Sequence, residues 1–241
     1  MRVAVMSDIH GFSLALDVVA GDIAEQGPLD VVVVAGDLCL VGPDPAGVLD
    51  RLAAQPWQVL QGNTDRDLVL AAQGEFEDSE FDYTLSQIGA AGVEDLAALP
   101  FAVRFTPPGG RSPQDDLLVC HANPHDLEQK LTPEMSDAET RAILGDTNAA
   151  AIAFGHHHVA YTRRLGDTLL VDVSAVGNPK DGDLRCKYAL LAWSPGAGWS
   201  AEIRRLPYPL AATAAQMRAS GMPNPNKALR KLERASYGSA R

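Results

Sequence analysis

Short apolar runs constrain the fold of this chain more than any other feature of its sequence. They cover residues 2–6, 31–35, 58–60, 117–120 and 149–154, and each is followed by a glycine or a polar residue. Runs of this length with almost no polar residues are typical of buried strands in parallel sheets. The sequence therefore predicts a chain that is built around buried parallel strands.

Helices are predicted between these runs. An apolar stripe at every fourth position of residues 15–23, ended by Gly27, indicates the first of them. Further helices are predicted over residues 45–54, 66–70 and 133–144. Alternation of strand and helix in the first half predicts an α/β architecture. The second half is richer in β-structure, with strands predicted over residues 159–165, 169–173, 188–193 and 199–206.

Two segments do not fit this alternation. Residues 73–100 are acidic and are predicted to form loops and short helices, either as a lid over one edge or, as we prefer, as a solvated acidic face. Residues 207–241 are predicted to form a helical extension that ends in a basic tail. A nucleic-acid contact is one interpretation of that tail, and a helix docked on an acidic protein is the preferred one.

Composition limits the possible partners and compartments. The chain has 241 residues and a net charge of −11, which disfavours general nucleic-acid binding and binding to anionic membranes. Its N-terminus lacks the pattern of a signal peptide, and its apolar runs are shorter than a membrane span. Three cysteines without CxxC spacing are expected to be reduced thiols. Together these features predict a cytoplasmic protein.

Polar residues that can bind metal ions follow five of the predicted strands. They are Asp8, His10, Asp37, Asn63, His121, His156 and His158. Each alone also fits a helix N-cap, a turn or a surface histidine. Because ligands of open α/β sheets bind at the carboxyl ends of the strands, five coincidences favour a common site. Seven ligands exceed the need of one tetrahedral ion, so the count predicts two ions that share a bridging carboxylate.

The order of these residues resembles a known family. Asp8-x-His10, Gly36-Asp37, Gly62-Asn63-x-Asp65, His121 and Gly155-His156-x-His158 resemble the motifs of the calcineurin-like metallophosphoesterases, of the small prokaryotic type. The resemblance covers residues 1–206, which would form one metallophosphoesterase domain followed by the 207–241 extension. It implies an α/β fold, namely an αββα four-layer sandwich of two mixed β-sheets flanked by helices.

The resemblance also implies a role for each residue. Asp8, His10 and His158 would hold one ion, Asn63, His121 and His156 the other, and Asp37 would bridge them. Asp37, Asn63, His121 and Asp65 would form the catalytic set, although Asp65 fits a helix N-cap equally well. Ligation rich in imidazole favours two divalent transition-metal ions, with manganese first and iron, nickel, cobalt or zinc as alternatives. Ser174 to Asn178 resembles a segment that lies near the site in small members.

These residues predict a dinuclear metal-dependent phosphoesterase, a hydrolase in which a hydroxide between the ions attacks a small phosphate ester or phosphodiester. The alternatives are a metal-binding scaffold on the same fold with little or no catalysis, and a nuclease, for which no basic groove is visible. Thr64 stands where many members of the family have a histidine that is thought to protonate the leaving group. His125 or His157 are possible replacements for that acid. The sequence leaves the oligomeric state open.

Overall fold

The computed structural model describes residues 1–76 and 78–237, and these residues form two five-stranded mixed sheets and seven helices. Glu77 and Arg241, which belong to the predicted acidic segment and basic tail, lie outside the described residues. The helices are α1 (Ser13–Glu25), α2 (Pro45–Ala53), α3 (Asn63–Ala72), α4 (Ser79–Ala97), α5 (Asp137–Leu144), α6 (Leu210–Ala219) and α7 (Pro225–Arg234).

The strands are β1 (Arg2–Met6), β2 (Val31–Val34), β3 (Gln58–Val59), β4 (Ala102–Phe105), β5 (Leu117–Cys120), β6 (Ala151–Phe154), β7 (Tyr161–Leu165), β8 (Thr168–Asp172), β9 (Cys186–Ser194) and β10 (Gly198–Leu206). The first sheet has the order β10-β9-β1-β2-β3 and the second β4-β5-β6-β8-β7. Each sheet contains three parallel neighbours, β1, β2 and β3 in the first and β5, β6 and β8 in the second. The other pairings are antiparallel.

Alternation along the buried strands divides the core into layers. In β1, Val3 and Val5 pack against the second sheet, whereas Ala4 and Met6 pack against the helices. The same alternation in the second sheet buries one face between the sheets and the other under α5. Strands buried on both faces explain the nearly continuous apolar runs of the sequence. The expected αββα sandwich of two mixed sheets is confirmed.

Several predicted boundaries are wrong for local reasons. Helix α3 begins at Asn63 rather than near Arg66 and continues to Ala72, because the Asp65 carboxylate accepts the Gly62 N–H and caps the helix earlier. Helix α5 begins after Ser136, which forms a capping box with Glu139, rather than at residue 133.

The acidic segment forms short helices, as predicted, in two consecutive pieces that are numbered together as α4. Helix α4 is interrupted at Gly89, whose φ of 62° breaks it into two pieces. Its buried residues Thr84, Gly92 and Leu96 face inward, and the element packs against α2 and α3. A role as a lid stays a prediction.

The C-terminal extension contributes to the main core. Helices α6 and α7 bury Met217, Leu229 and Leu232 in the layer between the first sheet and its helices. The described part of the basic tail therefore includes a docked helix, α7, as preferred from the sequence. A domain division at residue 206 stays a prediction. All three cysteines are free and buried. None of the helices in the described ranges is both long and apolar enough to cross a membrane.

Candidate metal centre

The seven predicted ligands lie in loops that follow the parallel strands. Asp8 and His10 follow β1, Asp37 follows β2, and Asn63 is the first residue of α3, after β3. In the second sheet, His121 follows β5, and His156 and His158 follow β6. Parallel strands place these loops at one edge of each sheet, and the face-to-face packing brings the two edges together.

Four of the residues form a first cluster. Asp8, His10, Asp37 and His158 each offer a ligand atom, and these atoms lie within 4.8 Å of one another. The His158 Nε2 atom is 2.9 Å from Asp8 Oδ1 and 3.2 Å from His10 Nε2. The His10 Nε2 atom is 3.5 Å from Asp37 Oδ2. All four side chains are buried.

A second cluster shares Asp37 with the first. Ligand atoms of Asp37, His121 and His156 also lie within 4.8 Å of one another. The Asn63 Oδ1 atom lies 3.0 Å from His121 Nε2 and 3.0 Å from His156 Nδ1. The two oxygens of Asp37 face different clusters, since its Oδ1 is 3.5 Å from His121 Nε2. The structure thus brings together all seven residues in the two groups expected.

Backbone carbonyls fix the tautomers of the four histidines. Each ring has one nitrogen on a carbonyl: His10 Nδ1 on Leu40 at 3.0 Å, His121 Nδ1 on Ala35 at 2.8 Å, His156 Nε2 on Glu128 at 2.8 Å and His158 Nδ1 on Asn178 at 2.6 Å. Because a carbonyl only accepts, that nitrogen carries the proton. The second nitrogen of each neutral ring therefore presents a lone pair to the cluster, as a metal-binding histidine does.

These lone pairs face other acceptors, and that arrangement fits divalent ions. Asp8 Oδ1 is buried with no hydrogen-bond partner in the described residues, although His158 Nε2 is 2.9 Å away. Its other oxygen accepts the His156 N–H at 2.9 Å. Opposed acceptors repel unless a cation lies between them. Ligands with bonds of about 2.1 Å to one ion are about 3.0–3.4 Å apart, which matches the spacing found.

In an extended backbone, His156 and His158 would direct their side chains to the same side, but the backbone at most of the proposed ligands is left-handed. Five of the nine non-glycine residues with positive φ in the described part of the chain are predicted ligands: Asp8, His10, Asp37, His156 and His158. Such residues are uncommon and concentrate at functional sites. His156 (φ 63°) and His158 (φ 58°) therefore do not share one side of an extended strand. A left-handed turn directs them to different clusters.

Two glycines permit the close approach of these loops. A Cβ atom on Gly155 would collide with the Asp8 carboxylate and the Ser7 side chain. Gly36 has a φ of 89°, and a Cβ there would collide with the backbone of Gly62. Side chains at either position would separate the loop that carries a ligand from its neighbour.

Electrostatics favour the protonation state that metal binding needs at Asp8 and His156. At His10 and His121, burial lowers the pKa, but the neighbouring carboxylates of Asp8 and Asp37 outweigh it and raise the pKa. Burial raises the pKa of Asp8, but the imidazoles of His158 and His10 outweigh it and hold that pKa well below its usual range. Burial, together with the neighbouring His121, lowers the pKa of His156. Asp8 is thus a carboxylate and His156 a neutral imidazole near pH 7, and both can bind a cation.

Asp65 connects two of the ligand loops and does not contact the cluster as a ligand. Its carboxylate accepts the N–H groups of Asp37 (2.8 Å), Leu38 (2.9 Å) and Gly62 (2.8 Å). Burial and the charge of Asp37 raise the pKa of Asp65 to about 6, and the N–H groups of Leu38 and Gly62 oppose this shift. The residue serves both roles left open by the sequence, since it caps α3 and holds the Asp37 loop.

We expect Asp65→Ala to destabilise the metal-free protein by roughly 3 kcal/mol. The substitution leaves three N–H donors without their acceptor, and each unsatisfied buried group costs about 1–3 kcal/mol. Urea unfolding measures the change. Asp67→Ala, which removes a half-exposed partner of Arg66 on the same helix, should cost about 0.5 kcal/mol. Equal effects of the two substitutions would contradict the assignment.

The residues considered for proton donation lie in different surroundings. Thr64 donates its N–H to Asp37 Oδ1 at 2.9 Å, and its hydroxyl is buried without a partner in residues 1–76 and 78–237. The His125 ring is bound to the Leu144 carbonyl. The ring of His157 is half-buried and stacks on Tyr237, with the ring centroids 5.5 Å apart.

Two residues support the His158 loop: Ser174, which the resemblance had placed near the site, and Asp172, which the sequence analysis missed. Ser174 donates its hydroxyl to the His158 carbonyl at 2.9 Å, and the Asp172 carboxylate accepts the Ser174 N–H at 2.7 Å. The Ser174 to Asn178 segment thus lies against the site, as the resemblance implied. The sequence signal that points to this support is an aspartate at the end of the apolar strand β8. In the structure this aspartate is fully buried.

Comparison with known proteins agrees with this geometry. A family model for the calcineurin-like phosphoesterase superfamily domain matches residues 1–195. The chain belongs to this superfamily. The family usually binds divalent metals, and the two clusters are the matching feature of this chain. No curated protein sequence matches the chain significantly.

Solved structures of other proteins share the fold. The crystal structure of a metallophosphoesterase from Sphaerobacter thermophilus aligns with a TM-score of 0.76 at 22% identity, over 98% of this chain and 100% of the other. A hypothetical protein from Pyrococcus horikoshii OT3 aligns with a TM-score of 0.80 at 15% identity, over 96% and 97%. At these identities the similarity establishes the αββα fold alone.

Proposed function

We propose that this protein is a dinuclear metal-dependent phosphoesterase that hydrolyses a phosphodiester or a small phosphate ester. One observation carries the proposal: two buried clusters of acceptor atoms share the Asp37 carboxylate, and the four histidines are held in the tautomer that binds metal. Neither cluster is satisfied by hydrogen bonds alone. Buried acceptor atoms that face one another destabilise the fold unless cations lie between them, so a purely structural role for the clusters would be unfavourable.

Each residue of the site has a distinct task in this proposal. Asp8, His10 and His158 bind one ion, and Asn63, His121 and His156 bind the other. Asp37 would be the ligand that the two ions share, and its own position is fixed by the N–H of Thr64 and by Asp65. When bound, two divalent ions activate a water molecule and neutralise charge on the phosphoryl oxygens. The imidazole-rich ligands favour manganese, iron, nickel, cobalt or zinc, with manganese first.

Hydrolysis of bis-p-nitrophenyl phosphate by the metal-loaded protein tests the proposal. We expect release of p-nitrophenolate with manganese and a smaller or similar rate with cobalt, nickel or zinc. A fully metallated protein that hydrolyses none of the mono-, di- and pyrophosphate esters tested would contradict the enzyme assignment. That result would favour a metal-binding scaffold on the same fold. We place the enzyme in the cytoplasm, with a small phosphate ester as its partner.

Metal binding should be visible apart from catalysis. We expect two ions per chain after loading, and one fewer in either His156→Ala or His158→Ala, because each histidine belongs to a different cluster. At 100-fold excess over the dissociation constant, an ion stabilises the fold by about 2.7 kcal/mol, so the midpoint of thermal unfolding should rise on loading.

His157→Ala is the matched control for this measurement. It removes the histidine between the two ligands, whose ring contacts Tyr237 instead of either cluster. We expect this variant to bind two ions and to keep the thermal shift. Loss of one ion in His157→Ala, or retention of both in the other two variants, would show that the ligands are misassigned.

A further inference from the structure

A pocket of about 250 Å³ is lined in part by the loops that support two of the proposed metal ligands, His10 and His158. Its walls come from the loops after β1, β2 and β8, from the start of α4, and from helix α7 of the C-terminal extension. Sites for whole small molecules are commonly 300–1,000 Å³. This pocket is therefore suited to a chemical group of a larger molecule.

Three lysines give the pocket its charge. Lys180 follows β8, and Lys227 and Lys231 lie one turn apart on α7. None of the three forms an ion pair within the part of the chain that the structure describes, although the protein has a net charge of −11. Burial and the charge of Lys231 lower the pKa of Lys180. Glu80 is the acidic residue that lines the same pocket.

The walls of the pocket are continuous with the supports of the metal ligands. Asn178 lines the pocket and its carbonyl accepts the His158 Nδ1–H at 2.6 Å. The Lys180 N–H donates to the His158 carbonyl at 2.9 Å. On the opposite wall, Val41 follows Leu40, whose carbonyl holds His10. The pocket and the cluster therefore share two loops.

Val41 provides an independent sign of a built site. Its φ of 96° is far from any conformation that a β-branched residue favours. Strain of this kind is unfavourable and concentrates at functional sites, ligand clamps among them. Here it occurs on the pocket wall, one residue from the support of His10.

We propose that this pocket binds a second anionic group, a phosphate or diphosphate, of the ester that is hydrolysed at the metal cluster. Lysine ammonium groups bind phosphate oxygens as flexible point charges, and an anion between them would relieve their mutual repulsion. The substrate class is thus an ester that carries a further phosphate beyond the one attacked. This inference rests on the proposed function.

A pair of matched esters tests the substrate class. The first is the p-nitrophenyl ester of thymidine 5′-phosphate, and the second is the same ester with an added 3′-phosphate. We expect kcat/KM to be at least about 10-fold higher for the second, because each partly exposed charge pair contributes a factor of about two to five. In the variant that combines Lys180→Met, Lys227→Met and Lys231→Met, the ratio of kcat/KM for the second ester to kcat/KM for the first should fall to about one.

Two further variants control this result. Arg230→Met removes an exposed charge from α7 outside the pocket and should keep the ratio. Glu80→Gln removes the acidic residue of the pocket and should raise the ratio about two- to five-fold. A ratio near one in the wild type, or one unchanged in the lysine variant, would overturn the proposal. Thermal unfolding of each variant establishes that it is folded.

A binding measurement separates this proposal from the catalytic one. Calorimetric titration of inorganic pyrophosphate into the metal-free protein needs no hydrolysis, and we expect at least about 10-fold weaker binding in the lysine variant but not in Arg230→Met. If pyrophosphate binding depends on the lysines but no ester is hydrolysed, the anion-binding pocket is supported and the proposed catalytic function is rejected. Hydrolysis with pyrophosphate binding that does not depend on the lysines would reject the pocket alone.

Discussion

Asp37→Asn is expected to reduce the hydrolysis of bis-p-nitrophenyl phosphate by about 10²–10³-fold or more. Its two carboxylate oxygens face different clusters, 3.5 Å from His10 Nε2 and 3.5 Å from His121 Nε2. The amide keeps the size of the side chain but removes the negative charge and presents an N–H group to one of the clusters. Neither site then has its shared ligand, so both the affinity for metal and the rate should fall.

The fold should survive this substitution, which makes the result interpretable. The Asp37 N–H still donates to Asp65, and the neighbouring Leu38 N–H does so as well. Circular dichroism and thermal unfolding of the metal-free proteins check the fold, and metal analysis checks the loading. Asp17→Asn, at a surface ion pair with Arg51, is the matched control and should stay within about twofold of the wild-type rate.

One outcome would contradict the shared role of Asp37. If Asp37→Asn retains two ions and the full rate, the carboxylate is not needed between the clusters. The proposed mechanism would then fail even though the family and the fold remain as shown.

The strands, and the positions of the proposed ligands relative to them, were predictable from two simple rules. Buried parallel strands are apolar on both faces, so β1, β2 and β6 are visible as uninterrupted runs. Chain direction then places the residues after them at one edge of the sheet. These two rules suffice to bring Asp8 and His158 together, although they are separated by 150 positions in sequence.

Backbone conformation and backbone hydrogen bonds were not predictable in the same way. The left-handed turns at His156 and His158 depend on the surrounding loops, since nothing in the local sequence demands a positive φ there. The carbonyl groups that fix the histidine tautomers belong to Leu40, Ala35, Glu128 and Asn178. Any residue has a carbonyl, so no residue type marks these positions.

The lysine pocket was missed for a related reason. Lys227 and Lys231 belong to the basic tail in the sequence, where a cluster of charges usually means a solvated face. Burial of Leu229 and Leu232 fixes the orientation of α7 and so directs the two lysines toward the loop that carries Lys180. The meaning of the charges thus depends on which face of the helix is buried.

A strong dependence of rate on the leaving group is the second large effect that we expect. A p-nitrophenolate leaves without a proton, whereas an alkoxide needs one, and positioned acid catalysis is worth about 10²–10⁴-fold. Thr64 occupies the place of the usual acid, and its hydroxyl cannot serve as one near neutral pH. The wild type should therefore turn over alkyl phosphodiesters about 10²-fold or more slowly than aryl ones.

Thr64→His should raise activity mainly on the alkyl esters. The Thr64 hydroxyl has no partner among the described residues, so its loss breaks no hydrogen bond, and the backbone N–H that holds Asp37 is retained. The measurement is kcat/KM for a series of aryl and alkyl phosphodiesters with both proteins. Thr64→Ser serves as the control, since it changes the side chain without adding an acid.

Equal kcat/KM values of the wild type for aryl and alkyl phosphodiesters would contradict this expectation, because they would mean that another group already supplies the proton. His157 is then the first candidate to test, since it lies between two of the proposed ligands and contacts Tyr237, and His125 is the second. If His157→Ala slows alkyl esters without slowing aryl ones, the acid is identified. If neither His157→Ala nor His125→Ala does so, the acid is not a histidine of this chain outside the metal clusters.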